Sequence, residues 1–224
     1  MQHIHLHECI STQSVLKDNF TDLSQPILVS TDHQTLGFGR KGSRWSHFEH
    51  ALAFSFTLSL NEILTLTPLE IGCLLADLFN PNLKLKWPND LLNNSNEKVG
   101  GILCQLAGKN LLVGIGLNLY RDNQEGFEYP VGGIFETLPH FKENYKESLP
   151  FEIFEYISKN RLTSEQVRES FQKKCGHLRA AVKIIDGNNF TSGRFVGIST
   201  QGEALLESEE GKVQKVLTGS LRYL

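Results

Sequence analysis

The segment KLKWPND at residues 84–90 constrains the fold more than any other part of this sequence. Its apolar and basic residues alternate with the period of a half-buried strand. Pro88 has no backbone N–H and ends the strand, which leaves Asn89 and Asp90 at the strand's end. A polar turn follows, and we predict that residues 99–106 return as the second strand of a hairpin.

The rim of this predicted hairpin gathers side chains that suit a charged ligand. Lys86 and Lys98 bring positive charge to the amide of Asn89 and the carboxylate of Asp90. The glycine pair at 100–101 weakens a strand, and close approach of another backbone or a ligand is the usual reason for such a pair. Cations, a carboxylate and bare backbone beside a pocket suit a phosphate group and its metal ion.

Length and composition narrow the class of protein. The chain has 224 residues, 40% of them hydrophobic, so it can bury a sizeable core in one or two domains. No apolar run approaches the ~18 residues of a membrane span, and the N-terminus has no signal-peptide pattern. A net charge of -3 gives no general attraction to nucleic acid, so a polyanion must meet a local cationic site.

The four cysteines predict a reducing compartment. They are widely spaced and form no CxxC pair, which argues against a zinc site and for free thiols in a cytoplasmic protein. The residues are Cys9, Cys73, Cys104 and Cys175.

The N-terminal strand and the helix after it each allow two interpretations. His3, His5 and His7 alternate along the predicted strand, so they share one face, which could bind a metal but is better explained as a solvated edge. Ser11 or Thr12 can cap the following helix, and a ligand contact is the alternative for these hydroxyls. The apolar residues that predict this helix are Val15, Leu16 and Phe20.

A glycine-rich basic loop follows a short predicted strand at residues 27–30. The stretch between Gln34 and Ser46 holds three cations, three glycines and no acid. Such a loop can point several N–H groups at an anion while an arginine supplies a forked charge. It is not a Walker loop, and a flexible surface loop is the alternative interpretation. Its length and Trp45 favour a loop that orders over a ligand.

The middle of the chain predicts a strand, a helix and a second hairpin. Residues 51–60 keep a period of two with one buried face, and residues 68–80 repeat at helical spacing. Two strands pair across a turn at 108–110, and the second of them, 111–119, carries Asn118. On the strand pattern alone, Asn118 merely caps the strand or starts the loop that follows.

The remainder is predicted as loop, helices and small strands. Residues 120–150 are predicted as loop with one short helix, and 152–157 and 165–175 as helices. Short strands then recur about every ten residues, which is typical of a small β-barrel. These strands are predicted at 182–185, 190–198, 204–206 and 213–217.

Taken in order, five motifs resemble those of biotin protein ligases. The specific part is KWPND at 86–90 followed by KVGGIL at 98–103, and the other three motifs are supportive. These three are STQ at 11–13, QTLGFGRKG at 34–42 with Trp45, and GIGLN at 114–118. The resemblance covers nearly the whole chain. No segment before the first strand could hold a winged-helix DNA-binding domain, so the resemblance is to the minimal ligases without a repressor function.

The resemblance implies an α+β fold. A mixed-sheet catalytic domain of the class II synthetase-like, biotin–lipoate ligase fold is expected at residues 1–178. A small SH3-like β-barrel is expected at residues 179–224. The implied substrates and cofactor are ATP, biotin and Mg²⁺.

The resemblance also implies two half-reactions. Biotin attacks the α-phosphate of ATP to give biotinyl-5′-AMP and pyrophosphate, and an acceptor lysine then takes the biotin as an amide and releases AMP. The first step brings like charges together, so cations and Mg²⁺ are expected beside the reacting groups. Arg40 and Lys98 match family residues that hold the carboxylate and the α-phosphate, and Lys86 matches one near the polyphosphate. Asp90 matches a carboxylate that orients the metal or the nucleophile.

The residues that match the family's binding residues form two sets, one for ATP and one for biotin. ATP contacts are implied for Arg40, Lys86, Asn89 and Asn118, with Trp45 stacking on adenine. Biotin contacts are implied for Ser11, Thr12, Gln13, Gln34, Arg40 and Lys98, for the backbone of Phe38 and Gly39, and for Gly101.

Two positions depart from the family pattern. The family loop usually has arginine where this chain has Phe38 and Ser43. A ligand contact through the backbone amide at position 38 survives the change, whereas a side-chain charge does not. We therefore carry over only the main chain at Phe38 and give Ser43 no role.

Two rival functions remain open at this stage. A lipoate or octanoate ligase or transferase shares the catalytic fold, although the KWPND box and the barrel favour biotin. A non-catalytic metabolite-sensing or nucleic-acid-binding protein is disfavoured by an acidic chain without a basic stripe. The expected partner is the biotin acceptor domain of acetyl-CoA carboxylase or a similar carboxylase, with no nucleic acid and no membrane. A monomer and a homodimer both remain open.

Overall fold

The computed structural model describes residues 1–19, 26–59, 63–79, 82–108, 110–121 and 130–224. The chain divides into two compact units, each built from two separate stretches. The first unit holds residues 1–61 and 97–161, and the second holds residues 62–96 and 162–224. The KWPND segment therefore belongs to the same unit as the C-terminal strands. The domain boundary at 178/179 stays a prediction.

The elements are numbered along the chain. The strands are β1 Gln2–Cys9, β2 Ile27–Gln34, β3 Gly37–Phe38, β4 Arg44–Trp45, β5 Ala51–Leu58, β6 Lys84–Lys86, β7 Asp90–Leu92, β8 Lys98–Ala107, β9 Asn110–Asn118, β10 Ala181–Asp186, β11 Asn189–Ile198, β12 Ala204–Glu207, β13 Val213–Val216 and β14 Ser220–Tyr223. The α-helices are α1 Thr12–Asn19, α2 Thr67–Phe79, α3 Tyr145–Lys159 and α4 Ser164–Lys174. No helix within the described ranges is long and apolar enough to cross a membrane.

The first unit is centred on the strands β1-β2-β5-β9-β8 of a mixed sheet, in which β1 and β2 are parallel and the other neighbours antiparallel. Helix α1 packs on one face, where Leu16 clusters with Val29. Helix α3 packs on the other face, where Phe154 meets Phe56 edge-on. Because helices cover both faces, all eight residues of β5 are buried, although the alternating pattern had predicted only one buried face.

Most other predicted elements are confirmed with shifted ends. The turn after the KWPND segment is closed by Asn96 N donating to Asn93 O at 3.0 Å, and Gly108 takes a left-handed conformation between β8 and β9. Helix α3 is longer than predicted, because it begins at Tyr145 inside the stretch predicted as loop and continues through Pro150. Parts of several predictions lie outside the described residues, namely Phe20, residues 60, 80, 81 and 109, and residues 122–129 of the predicted loop.

The hairpin of the KWPND segment is tighter than predicted. Strand β6 pairs with β7, so Lys86 lies directly opposite Asp90. The prediction that residues 99–106 form the returning strand is therefore wrong. Leu91 and Leu92 follow the turn directly, and their side chains are buried in the short strand β7.

The C-terminal strands form an antiparallel sheet in the order β13-β12-β11-β10-β14. Its buried side includes Val182, Phe195, Leu206 and Leu221. Strands β10 to β13 were predicted, whereas β14 was not. Within residues 181–224, all of which are described, β13 and β14 lie at opposite edges and do not pair. The expected closed barrel is therefore not confirmed, and what stands is a C-terminal antiparallel sheet.

Candidate active site

A polar cluster lies where the start of α1 meets β2 and β5. Thr12 donates its backbone N–H to Gln34 Oε1 at 2.9 Å, and its hydroxyl lies 2.9 Å from Ser55 Oγ. Ser11 is buried next to Thr12. These contacts bring three of the predicted biotin residues together from two distant parts of the sequence.

Gln13 lies against Gly114 of β9. A Cβ at position 114 would lie 2.7 Å from Gln13 Oε1, so only glycine leaves room for the amide. The amide nitrogen donates to Gln105 Oε1 at 3.1 Å and to Leu112 O at 3.4 Å. Among the described residues, none donates to the buried Gln13 Oε1. A buried acceptor without a donor is costly, and a ligand N–H would satisfy it.

Trp45 lies over two glycines that face each other. Gly101 of β8 and Gly116 of β9 are directly paired, and we call them the glycine floor. A Cβ at Gly116 would overlap the indole ring, and one at Gly101 would lie 3.6 Å from its Cζ3. Lys98 Nζ lies 5.9 Å from the ring centroid, at the outer limit of a cation–π contact. The indole thus lies flat on the glycine floor, and the Lys98 ammonium places a positive charge beside the ring.

The basic loop folds into a small hairpin. Strand β3 pairs with β4, which places Phe38 opposite Arg44. Gly39 N donates to Ser43 O at 2.7 Å across the turn. Arg40 opens the turn and is half-exposed. The predicted loop thus has its own backbone pairing, which fixes how the chain approaches Trp45.

Gly114, Gly116 and Asn118 alternate along β9 and therefore share one face of the sheet. Over these residues, about 14 Å of strand, the face passes from the polar cluster with Gln13 to the glycine floor beside Lys98. It then reaches the buried Asn118, and no group in the described part of the chain donates to Asn118 Oδ1. We call this face the β9 stripe. An elongated ligand that followed this stripe would meet the Gln13 amide, the Trp45 indole and the Asn118 amide in that order.

The other predicted site residues belong to the second unit. Lys86 and Asp90 face each other across β6 and β7, and Asn89 lies in the turn between them. His177 is buried in the same unit, and its burial, together with the charge of Lys86, lowers the pKa of His177 to about 3. The imidazole is therefore neutral at ordinary pH and adds no positive charge near Lys86.

The N-terminal histidines are engaged with β2. His3 and His5 each lie 2.8 Å from Ser30 Oγ, and His5 and His7 each lie 3.1 Å from the Asp32 carboxylate. Within the described ranges there is no group of three or more His, Cys, Asp or Glu that could hold a metal ion. β1 is an edge strand as expected, although only His7 of the three is well exposed.

Three residues of this site were given no role by sequence reasoning. Ser55 contacts Thr12, and Gly114 and Gly116 make room for Gln13 and Trp45. The glycines did carry a signal, because they alternate at the period that places both on one face of a strand. Ser55 carried none, since a serine between two buried aromatic residues is also an ordinary small residue of a sheet interior.

The fold and the β9 stripe define an α+β protein with a strand surface suited to an elongated, partly polar small molecule. The sequence profile described as "Biotin/lipoate A/B protein ligase family" matches residues 6–120, just over half of the chain. A second profile, "Biotin protein ligase C terminal domain", matches residues 180–220. The chain belongs to the biotin/lipoate A/B protein ligase family, and the resemblance to biotin protein ligases is confirmed.

Individual relatives agree with this assignment. The chain is 31% identical over 129 residues to biotin–protein ligase 2 of Arabidopsis thaliana, a match that covers 51% of this chain and 39% of that protein. It is 27% identical over 234 residues to the bifunctional ligase/repressor BirA of Salmonella typhimurium, covering 94% and 71% respectively. The biotin protein ligase from Aquifex aeolicus in complex with biotin and ATP is similar with a TM-score of 0.80 and 31% identity, covering 100% of this chain and 99% of that one. The chain thus spans less than half the length of the Arabidopsis relative.

Proposed function

We propose that this protein activates biotin with ATP to biotinyl-5′-AMP and transfers the biotin to a lysine of a carrier domain. The observation that carries the proposal is the β9 stripe. Biotin has a polar ureido ring, an apolar ring body and a chain that ends in a carboxylate, and the stripe offers the polar cluster, the Trp45 indole on the glycine floor and, beside the indole, the Lys98 ammonium. The similar Aquifex aeolicus structure, which contains biotin and ATP, supports the assignment over the full length of this chain.

The ureido ring of biotin belongs at the polar cluster. Gln13 Oε1 is a buried acceptor that a ureido N–H can satisfy. The apolar ring body then meets the indole of Trp45, which lies on the glycine floor with Lys98 beside it. Trp45 covers the floor, so its position supports a contact with biotin, and its stacking on adenine remains a prediction.

The first chemical step joins two anions. A carboxylate oxygen of biotin attacks the α-phosphorus of ATP, and the bond from phosphorus to the bridging oxygen breaks to release pyrophosphate. Lys98 and Arg40 offset the charge that builds on the α-phosphate, and Lys86 holds the polyphosphate. Asn118 Oδ1, to which none of the described residues donates, accepts from a hydroxyl or amino group of the nucleoside.

A magnesium ion fits this site only together with the nucleotide. The described residues offer no cluster of three or more ligating side chains, so a closed protein site for the ion is not available there. Mg²⁺ commonly takes one or two carboxylates and completes its shell with water and substrate phosphates. Asp90 would hold the ion in this way, and the bound ion would supply charge neutralisation.

The second step consumes the mixed anhydride. The lysine amine of the acceptor attacks the acyl carbon, the acyl–oxygen bond breaks, AMP leaves with the electron pair, and the amine loses a proton. Until the acceptor arrives, the hairpin that carries Arg40 and Trp45 must keep water and other nucleophiles away from the intermediate.

Several finer assignments belong to the same proposal. The C-terminal sheet corresponds to the SH3-like barrel of the family with a boundary near 178/179, which the profile match at 180–220 supports. The acceptor is the biotin carrier domain of acetyl-CoA carboxylase or a similar carboxylase, without a nucleic-acid or membrane partner. The four cysteines are free thiols, which supports a cytoplasmic location.

Transfer to a carrier domain tests the proposal. The protein is mixed with ATP, Mg²⁺, a biotin carrier domain and either biotin or lipoate, and the carrier is analysed by mass spectrometry. We expect one biotin on one lysine, and none on a carrier in which that lysine is changed to arginine. Attachment of lipoate instead would favour the other branch of the family, and attachment of neither acid would overturn the proposal.

A further inference from the structure

The KWPND segment is tied to the C-terminal sheet by its tryptophan. The side chain of Trp87 is 1% exposed, and its indole Nε1 donates to Gly202 O at 3.0 Å. Gly202 lies in the turn between β11 and β12, far along the chain from this segment. Asn89 and Asp90 follow Trp87 directly after Pro88, so the position of the indole influences where both polar groups lie.

The turn that accepts this hydrogen bond is itself held from two sides. The Ser199 hydroxyl accepts from Gln201 N at 3.0 Å and donates to the Glu203 carboxylate at 2.7 Å. The Thr65 hydroxyl donates to Gln201 O. Gly202 has a φ of +78°, and a Cβ there would lie only 3.1 Å from Thr65 O. The carbonyl that receives the Trp87 N–H therefore has a well-defined position.

Strand β6 is also held along its edge by the segment that leads into the C-terminal sheet. Leu85 forms a parallel bridge with Cys175, and Gly176 N donates to Leu85 O at 3.0 Å. The hydroxyl of Tyr223 in β14 donates to Gly176 O at 3.3 Å. The C-terminal residues thus contact the strand that carries Lys86 at one point and the tryptophan after it at another.

We infer that the turn at residues 199–203 is a positioning element for the nucleotide-binding part of the KWPND segment, and that Trp87 is the positioning residue through which it acts. The inference rests on the proposed function, because it assigns ATP to Lys86, Asn89 and Asp90. A displacement of about 1 Å in groups that orient a substrate can reduce rate by about a hundredfold. The C-terminal sheet therefore takes part in ATP use without touching ATP.

Two variants test the hydrogen bond from its two sides. Trp87→Phe keeps an aromatic ring and removes the N–H, whereas Ser199→Ala keeps Trp87 and loosens the turn. Biotin-dependent exchange of pyrophosphate into ATP is measured against ATP concentration at saturating biotin. We expect the KM for ATP to rise about five- to tenfold in each variant, as for the loss of one buried hydrogen bond. The KM for biotin should change by less than about twofold.

Thr163→Ala is the matched control for a loss of stability alone. Thr163 caps α4 in the same unit, where its hydroxyl accepts from Gln166 N at 3.3 Å. This variant should lower the melting temperature and leave the KM for ATP unchanged. The inference is wrong if Ser199→Ala also leaves the KM for ATP unchanged, or if Thr163→Ala raises this KM equally. If Trp87→Phe does not fold, the result for Ser199→Ala decides. No exchange in the unsubstituted protein would instead overturn the proposed function.

Discussion

The indole ring of Trp45 lies directly on Gly116, at a point where any larger residue would overlap it. Gly116 is paired with Gly101 on one side and with Ala53 on the other. Small residues on three adjacent strands therefore clear a flat area for the tryptophan of the basic loop. The position of the Trp45 ring therefore requires that residue 116 has no side chain.

Gly116→Ala should displace Trp45 and weaken biotin binding. The added methyl group occupies space that the ring now fills, and overpacking of this kind costs about 1–3 kcal/mol. We expect Trp45 fluorescence to move to longer wavelength and the Kd for biotin to rise about tenfold. Fluorescence and calorimetry measure these two effects, and Trp45→Phe identifies which part of the emission belongs to Trp45 rather than Trp87.

The double variant Gly116→Ala with Trp45→Phe provides the control. If the methyl group acts through the indole, the two losses in biotin affinity should be clearly less than additive. Additive losses would mean that Gly116 and Trp45 influence biotin separately.

Lys98→Ala should reduce formation of biotinyl-AMP by on the order of a hundredfold or more. The substitution removes a charge directed at the negative charge that develops in the transition state. Single-turnover adenylation measures the effect. Lys183→Ala is a suitable comparison, because Lys183 Nζ also lies over an aromatic ring, 5.7 Å from the centroid of Phe190, but in the C-terminal sheet. Activity of Lys98→Ala within about threefold of the parent would make Lys98 an ordinary strand lysine.

Arg40→Gly should still make the intermediate but release it early. Loss of a charge-assisted contact, about 1.5–3 kcal/mol, corresponds to roughly tenfold to hundredfold faster dissociation. Release of preformed biotinyl-AMP and labelling of an unrelated protein are measured together, and both should increase.

Lys41→Gly is the control for loop flexibility. Lys41 has a φ of 55°, which glycine adopts without strain, so this variant changes the backbone freedom of the turn while Arg40 remains. It should retain the intermediate. If Arg40→Gly shows unchanged release of biotinyl-AMP and no bystander labelling, Arg40 does not retain the intermediate. It would then act only in adenylation, or be an ordinary surface cation.

The strand positions of this protein could be predicted well because alternation and turn chemistry are local properties. The pairing of strands was harder. The strand before Pro88 was predicted correctly, but its partner was expected at residues 99–106 because the polar turn after the segment looked like the tip of a long hairpin. The apolar pair Leu91 and Leu92, which is buried in β7, was the overlooked signal for a strand directly after the turn.

Only part of the candidate site could be predicted, because local sequence patterns do not show which distant residues meet. The motif residues Thr12 and Gln34 do meet, as the resemblance implied, since family motifs record contacts that local patterns do not. The position of Trp45 on Gly116 could not be predicted from period or composition, because it depends on where a loop folds back over a distant strand. Helix α3 was underestimated because residues 120–150 mix glycine, proline and charge with little period, whereas the helix begins at Tyr145 and contains Pro150.

His177 should make the protein less stable in acid. Burial, with the charge of Lys86, lowers the pKa of His177 in the folded protein to about 3, whereas an unfolded chain has about 6.5. Between these values only the unfolded state takes up the proton, so the free energy of unfolding falls as pH falls below about 6.5. The loss at pH 5 should be about 2 kcal/mol.

Chemical denaturation at pH 7 and pH 5 measures this effect. His177→Leu should remove most of the difference between the two pH values, because the group that titrates is gone. His7→Leu is the control, since the side chain of His7 is 95% exposed. An unchanged pH dependence in His177→Leu would show that another group controls stability in acid.

The central claim is that this chain activates biotin at the expense of ATP. The most direct measurement is exchange of labelled pyrophosphate into ATP, in the presence of Mg²⁺, with biotin, with lipoate and with no added acid. The account predicts exchange that requires biotin and is lost in EDTA. Exchange with lipoate but not biotin, or exchange that needs no acid at all, would contradict it.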